Sequence, residues 1–290
     1  MRAIVLEKFG GLDSLVYKEI PDPEPKTGHV VIEVKAFGLN HAEMHMRRGE
    51  WAEAAKVIGI ECVGLVKACP GGEFPIGAKV AALMGGLGRT INGSYAEYTR
   101  APASNVALIE SDLPWAELAA IPETYATAWT CLFRNLEIAK DQLLVIRGAT
   151  SSFGQAAVNM AVNAGARVIA TTRNKQRFTM LEELGAERVE LEGPDLSKRI
   201  SEAKRLDAVL DFWSATAPSS IPSPCCAGAA APASRVGWAG WRRSRTSTRC
   251  CKCRAASTSP SLAVSCSARR VSRCPTYRCR RSRSKWRPGA

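Results

Sequence analysis

All 27 Asp and Glu residues of this chain lie at or before Asp211, and none follows it. The 79 residues beyond carry 16 of the 40 Lys and Arg and sum to +16, whereas the first 211 set 24 bases against 27 acids and sum to −3. The overall +13 therefore describes neither part. A folded interior also needs large apolar groups. From Trp213 onward Leu, Ile, Val and Phe amount to Ile221, Val236, Leu262, Val264 and Val271 alone. So little apolar surface, with charge of one sign, does not offset the entropy lost on ordering. The tail, 216–290, is expected to be aberrant or disordered, and a packed core is expected only within about the first 215 residues.

Cysteine divides the chain in the same way. Cys62, Cys69 and Cys131 are widely spaced, as reduced cytosolic thiols are, while the other eight crowd into 225–279. Cys250, Cys251 and Cys253 have a zinc-like spacing, but no second Cys-x-x-Cys pairs with them and no histidine follows His45. No apolar run is long enough to span a bilayer. The start, MRAIVLEKFGG, meets Glu7 and Lys8 too soon for a secretory signal. A cytoplasmic protein without membrane association is expected.

Within the first part the hydrophobic period changes once. Residues 3–6, 29–36, 62–68, 79–83 and 94–99 read as strands, and PDPEPKTG (21–28) reads as an extended connector. Short strands punctuated by Gly and Pro predict a small β-barrel-like domain over 1–115. Helix signals follow at 115–120 and 126–134. Strands and helices then alternate: LLVIR (143–147), helix 153–164, ARVIA (166–170), helix 175–184, strand 188–191, helix 196–204 and DAVLDFW (207–213). Continuous apolar strands separated by helices mean parallel βαβ units, so 116–215 reads as an α/β domain that stops after four strands.

RGATSSFGQAA (147–157) joins the first of those strands to its helix. A dinucleotide turn needs small residues so that backbone N–H groups reach a pyrophosphate at a helix N-terminus. Gly148, Ala149, Ser151, Ser152, Phe153 and Gly154 are the candidate positions, although the usual three-glycine spacing is incomplete. The end of the next strand discriminates between cofactors. An acid there holds the ribose 2′-OH of NAD, whereas basic or hydroxyl groups suit NADP. ATTRNKQR (170–177) offers Thr172, Arg173, Lys175 and Arg177 with no acid before Glu182, which favours NADPH.

Taken together, these segments resemble the medium-chain dehydrogenase/reductase superfamily, and within it the zinc-independent quinone oxidoreductase branch. The likeness covers about residues 1–215 and rests on GLNHAE (38–43), IGIECVG (58–64), NGSYAEY (92–98) and AAIPETYATAW (119–129). It implies an α/β chain in which a GroES-like β-barrel domain precedes a truncated Rossmann nucleotide-binding domain. The implied chemistry is hydride transfer from NADPH to a small-molecule conjugated carbonyl or quinone. Zinc members place a cysteine near 38–40 and a Gly-His-Glu where this chain has Gly59-Ile60-Glu61, and Ile60 cannot ligate a metal. His41 and His45 lie four apart without a third ligand, so no zinc is expected. By the resemblance, Asn40 lies near the nicotinamide and Thr127 contacts it from the other side. Glu61 is either a supporting acid of that site or a folding residue of a glycine-rich turn. Tyr95 and Tyr125 either line the pocket or pack as core, and no residue stands out as the general acid. The intact family pairs as homodimers through the edge of its nucleotide-domain sheet.

The tail has a coding logic of its own. The codons TTC AAC CCG CTG CTG CAA ATG specify Phe-Asn-Pro-Leu-Leu-Gln-Met, and a shift by one base turns them into STRCCKC, residues 247–253. The same shift turns codons for Phe-Phe-Gly-Ser-Phe-Val-Phe-Gly into SLAVSCSA (261–268), and both recovered peptides resemble the family's downstream sequence. A change of reading frame between Ser214 and Arg235 is expected, with loss of the remaining strands, an exposed sheet edge and impaired activity. Two other readings stand beside the reductase: a non-catalytic nucleotide-binding remnant, and nucleic-acid binding through RRSR (242–245) and RCRRSRSKWR (278–287). The second is expected only nonspecifically, because any segment of this charge neutralises phosphates.

Overall fold

A computed structural model describes residues 1–211, apart from 52, 203 and 204, together with the backbone of 268–270. The first half is antiparallel. Strands β1 (Arg2–Leu6) and β2 (Leu15–Glu19) form a hairpin. Strands β3 (His29–Ala36), β4 (Glu61–Ala68), β5 (Lys79–Leu83), β6 (Tyr98–Pro102) and β7 (Val106–Leu108) form a sheet of order β6-β3-β4-β5-β7. The β3–β4 register shifts between Val31 and Ile32 and again between Val34 and Ala36, the irregularities that bend a strand toward closure. The hairpin attaches through the Ile4 N–H, which donates to the Tyr95 carbonyl at 2.8 Å. Alternation puts Val30, Ile32, Cys62, Val66 and Val80 into one core. Ala3, Val5, Met46, Ile58 and Ile60 fill a second.

Helix α1 (His41–Arg47) shares the hairpin's core, α2 (Trp115–Ala119) lies on β3 and β4, and α3 (Pro122–Trp129) runs on into a π-type turn, Thr130–Asn135. The second half is the parallel sheet. Strands β8 (Leu143–Arg147), β9 (Arg167–Thr172), β10 (Arg188–Leu191) and β11 (Ala208–Asp211) lie in the order β10-β9-β8-β11. Every residue of β8 is buried, as a strand covered on both faces must be. Leu144 and Ile146 face α4 (Ser152–Asn163) and α5 (Phe178–Glu183), while Leu143 and Val145 meet α6 (Leu196–Arg199).

The predicted elements recur with local differences. The helix expected from 126 begins at Pro122, whose fixed φ suits the first helical turn. The helix expected at 196–204 ends at Arg199, and the strand expected at 94–99 forms at Tyr98–Pro102. The segment before that strand bridges to β1 through Ala96 and Ala3 instead. Helix α1 is additional to the expected elements, and Asn40 with Glu43 three residues on supplies its start signal. Of the three body cysteines expected as thiols, Cys62 and Cys69 are free.

The exposed sheet edge is also corrected. β12 (Ala268–Arg270) pairs antiparallel with β11, matching Ala208 to Arg270 and Leu210 to Ala268. An edge strand offers unpaired N–H and C=O groups that any extended segment satisfies. The rest of the tail, with its expected disorder and its basic runs, lies outside the described residues.

Candidate active site

Three buried carboxylates from three different elements meet where the barrel joins the parallel-sheet half. Glu43 is 3% exposed, Glu61 2% and Glu123 9%. Each position has a local cause. Asn40 is the N-cap of α1, and the Glu43 carboxylate reaches back to the Asn40 N–H at 2.7 Å in a capping box. The other Glu43 oxygen accepts the Ile60 N–H at 3.1 Å. Glu61 opens β4 and spans the junction. Its Oε1 accepts from the Asn40 side-chain amide at 2.8 Å, and its Oε2 accepts the Glu123 N–H at 2.8 Å. That N–H is one of the donors a helix leaves unsatisfied at its start, so Glu61 caps α3 from the barrel. One turn later the Thr127 hydroxyl donates to Glu123 Oε1 at 2.9 Å.

The outcome is a continuous polar chain, Asn40–Glu61–Glu123–Thr127, through the two residues placed by resemblance on either side of a nicotinamide. Gly38 makes room for it, because a Cβ there would overlap the Glu61 carboxyl. Among the described residues no cation pairs with any of the three acids. Burial pushes the Glu43 carboxyl up, its backbone donors pull it back in part, and the Glu61 charge adds to the rise. Burial likewise raises Glu61, opposed by the Asn40 amide and the Glu123 N–H. Glu123 is pushed up to about 7 by burial, with Thr127 opposing and the Glu61 and Glu43 charges reinforcing the rise.

Glu61 was expected as either a supporting acid or a folding residue of a glycine-rich turn; in the structure it bonds the Asn40 amide and fixes the start of α3. Glu43 and Glu123 were missed as site residues. Each stood inside a quoted motif, HAE and PETYATAW, where an acid followed by a helical apolar pattern signals a helix start. Tyr95 is buried and stacks on Phe37 with ring centroids 4.6 Å apart, the packing alternative. Tyr125 packs partly against the parallel-sheet core and borders a pocket of about 270 Å³ between α3 and α4. His41 and His45 do fall one turn apart on α1, with His45 against Glu50. Among the described residues no group of three or more His, Cys, Asp or Glu is arranged to hold a metal.

The candidate cofactor turn lies at the end of β8. Gly148 has φ +68°, a left-handed conformation that glycine adopts without strain. Ser151 caps α4: its hydroxyl accepts the Gly154 N–H at 3.0 Å and donates to the Gly148 carbonyl at 2.9 Å. A Cβ on Gly154 would overlap the Gly148 carbonyl and lie 2.6 Å from the Ala149 Cα, so glycine lets turn and helix pack in contact. Ser152 is the first residue of α4. The side chains of Ala149 and Phe153 are buried in the core, and the Ala149 N–H donates to the Thr171 carbonyl at 3.0 Å. Across the sheet Thr172 ends β9, and its hydroxyl accepts the Asn174 N–H at 3.1 Å. Arg173 follows it, and Arg177 lies in a short 3-10 turn that the Asn174 side chain caps. These residues fit a dinucleotide: the glycines leave space, the helix start is capped, and the groups after β9 are basic or hydroxylic.

Beside that turn a second buried network crosses the sheet. Arg147, 5% exposed, closes β8 and donates to both Glu192 oxygens at 3.0 and 2.7 Å and to Asp211 at 2.8 Å. Thr171 adds a hydrogen bond of 2.5 Å to Glu192. Burial would raise Glu192, but the Arg147 and Thr171 hydrogen bonds outweigh it and hold the carboxyl below its ordinary range.

An antiparallel barrel, a parallel sheet with a glycine-opened strand–helix turn, and a polar chain at their junction define the two-domain dehydrogenase class. The Alcohol dehydrogenase GroES-like domain model matches residues 26–111, and the Zinc-binding dehydrogenase model matches residues 153–223. The mouse Synaptic vesicle membrane protein VAT-1 homolog-like is 33% identical over 165 residues, 55% of this chain and 38% of that protein. The chain therefore spans well under half of that relative's length. A solved NAD-dependent alcohol dehydrogenase is 29% identical with a TM-score of 0.67, covering 73% of this chain and 71% of its own. A mycobacterial protein solved in complex with NADPH is 25% identical with a TM-score of 0.65, covering 74% of this chain and 67% of its own. This chain belongs to the medium-chain dehydrogenase/reductase superfamily of NAD(P)-binding oxidoreductases.

Proposed function

We propose that the lineage activity of this chain is NADPH-dependent reduction of a quinone or an enone, without zinc. The observation that carries the reading is the polar chain Asn40–Glu61–Glu123–Thr127, a set of amide, hydroxyl and carboxyl groups at the junction of the barrel and the parallel-sheet half. The turn of Gly148, Ala149, Ser151, Ser152, Phe153 and Gly154 would receive the pyrophosphate, its glycines giving room for close approach. Thr172, Arg173 and Arg177 would meet the 2′-phosphate. Bound NADPH supplies the hydride, and the protein supplies orientation, hydrogen bonds and exclusion of water. The NADPH-complexed relative supports the choice of cofactor, while the NAD-dependent relative makes that choice worth testing. The expected partner is a small carbonyl or quinone in the cytoplasm, with no membrane, and the intact lineage would pair as a homodimer. Among the described residues no helix is long and apolar enough to cross a membrane.

The segment beyond Asp211 belongs to the same proposal as a change of coding frame. The second family match runs to residue 223, inside the 214–235 window expected for the change of frame. Loss of the downstream strands would weaken turnover. Nucleic-acid binding through the tail would remain nonspecific.

The test is NADPH oxidation by the full chain with a simple benzoquinone and an α,β-unsaturated ketone, with and without a metal chelator. Oxidation that a chelator leaves unchanged is expected, weak in this chain and strong in a frame-restored one. Turnover abolished by the chelator, or absent from both chains, would contradict the proposal.

A further inference from the structure

Glu123 is the buried acid of the junction that touches Thr127, as Glu61 and Glu43 touch Asn40. Its carboxyl meets the Thr127 hydroxyl at 2.9 Å one turn along α3, while its own N–H is held by Glu61. Glu61 in turn is held by Asn40. Charged and titratable groups face it from the neighbouring elements: Glu61 from β4 and Glu43 from α1, with Tyr95 set against those two acids. All of them are acids, and none of the three carboxylates has a cationic partner among the described residues. Three acids in one poorly hydrated junction do not all ionise near neutral pH, because each charge raises the energy of the next. The network therefore retains a proton, and hydrogen bonding decides where it sits. Glu61 accepts two donors and Glu43 accepts backbone donors, whereas the Glu123 carboxyl has, among the described residues, the hydroxyl of Thr127.

We infer that Glu123 is a positioning residue that carries the shared proton at neutral pH, and that this proton sets the direction in which the Thr127 hydroxyl points. An ionised Glu123 only accepts, so Thr127 must spend its single O–H on it and turn its lone pairs outward. A protonated Glu123 donates to Thr127, which frees the Thr127 O–H to donate outward. The same side chain thus presents an acceptor or a donor to whatever lies against it. That the facing group is the nicotinamide carboxamide rests on the reductase reading above. The rise of the Glu123 carboxyl to about 7 places the change of direction near neutral pH.

Two measurements on the full chain test this. Infrared difference titration follows the protonated-carboxyl stretch in wild type, Glu123→Gln, Thr127→Val and Thr127→Ser. A carboxyl titrating near 7 is expected in wild type and absent from Glu123→Gln. In Thr127→Val its midpoint is expected to rise, because the opposing hydrogen bond is gone, and Thr127→Ser should restore it. Calorimetry then follows NADPH affinity from pH 6 to 8. One hydrogen bond reversed in sign predicts a change of about fivefold in wild type and Thr127→Ser, and a flat profile in Glu123→Gln and Thr127→Val. A carboxyl still titrating near 7 in Glu123→Gln, an unmoved midpoint in Thr127→Val, or an unchanged affinity profile in Glu123→Gln overturns the inference. Should wild type bind no NADPH at any pH, the cofactor reading fails instead. The infrared midpoints then decide the Glu123–Thr127 coupling alone.

Discussion

Two buried acid networks lie in this molecule, and their chemistry is opposite. At the end of the parallel sheet, Glu192 and Asp211 close on Arg147, which joins β8 to β11 and reaches across β9 to the residue after β10. At the domain junction, Glu43, Glu61 and Glu123 share only amides, backbone N–H groups and a hydroxyl. A buried carboxylate that owns an arginine stays ionised and holds strands together. One that owns only neutral donors keeps a proton within reach of neutral pH. Burial alone does not distinguish a structural acid from one that answers to pH; the partner does.

Removing the partner gives the largest expected effect. Arg147→Met leaves Glu192 and Asp211 buried without their cation, and the loss of folding stability is expected to be about 3–5 kcal/mol by urea denaturation. A loss under about 1 kcal/mol, the range of an exposed pair, would mean that the network is solvated and the contrast false.

The pH trends of the two networks should run in opposite directions. Glu192 has a depressed carboxyl, so its contribution is present above the ordinary carboxylate range and fades on acidification. Glu123 has a raised one, about 7 against an ordinary 4.5, so the folded chain holds a proton there that the unfolded chain has lost. That contribution is full at low pH and disappears as pH rises through 7. Across that window wild type should lose stability relative to Glu123→Gln by an amount on the order of 3 kcal/mol. Parallel stability profiles for the two chains would place the proton elsewhere.

The smallest expected effect sharpens the local account of the turn. Ser151→Ala removes the cap of α4 and should lower stability by about 1 kcal/mol, because the Gly154 N–H loses its acceptor. Thermal unfolding of the variant reads this directly.

Much of this was legible in the sequence. LLVIR and ARVIA announced buried strands, the glycines and serines of 148–154 announced a turn built for close approach, and the charge boundary at Asp211 separated the two unlike parts. What stayed hidden depends on tertiary neighbours. Glu123 stood before the helix expected from 126, and nothing local says that Glu61, 62 positions earlier, caps its N–H. The pairing of β11 with Ala268–Arg270 was equally invisible, since the unsatisfied edge and the strand that meets it lie far apart in the chain. Short-range patterns fix elements. The partners of buried polar groups are fixed by the fold.

The central claim is that the turn after β8 and the basic groups after β9 make this chain an NADPH binder. Isothermal titration of the full chain with NADPH and with NADH tests it most directly. The account predicts saturable binding of NADPH, tighter than that of NADH, with the preference lost in Arg173→Ala/Arg177→Ala. Binding of neither nucleotide, or a preference for NADH, would contradict it.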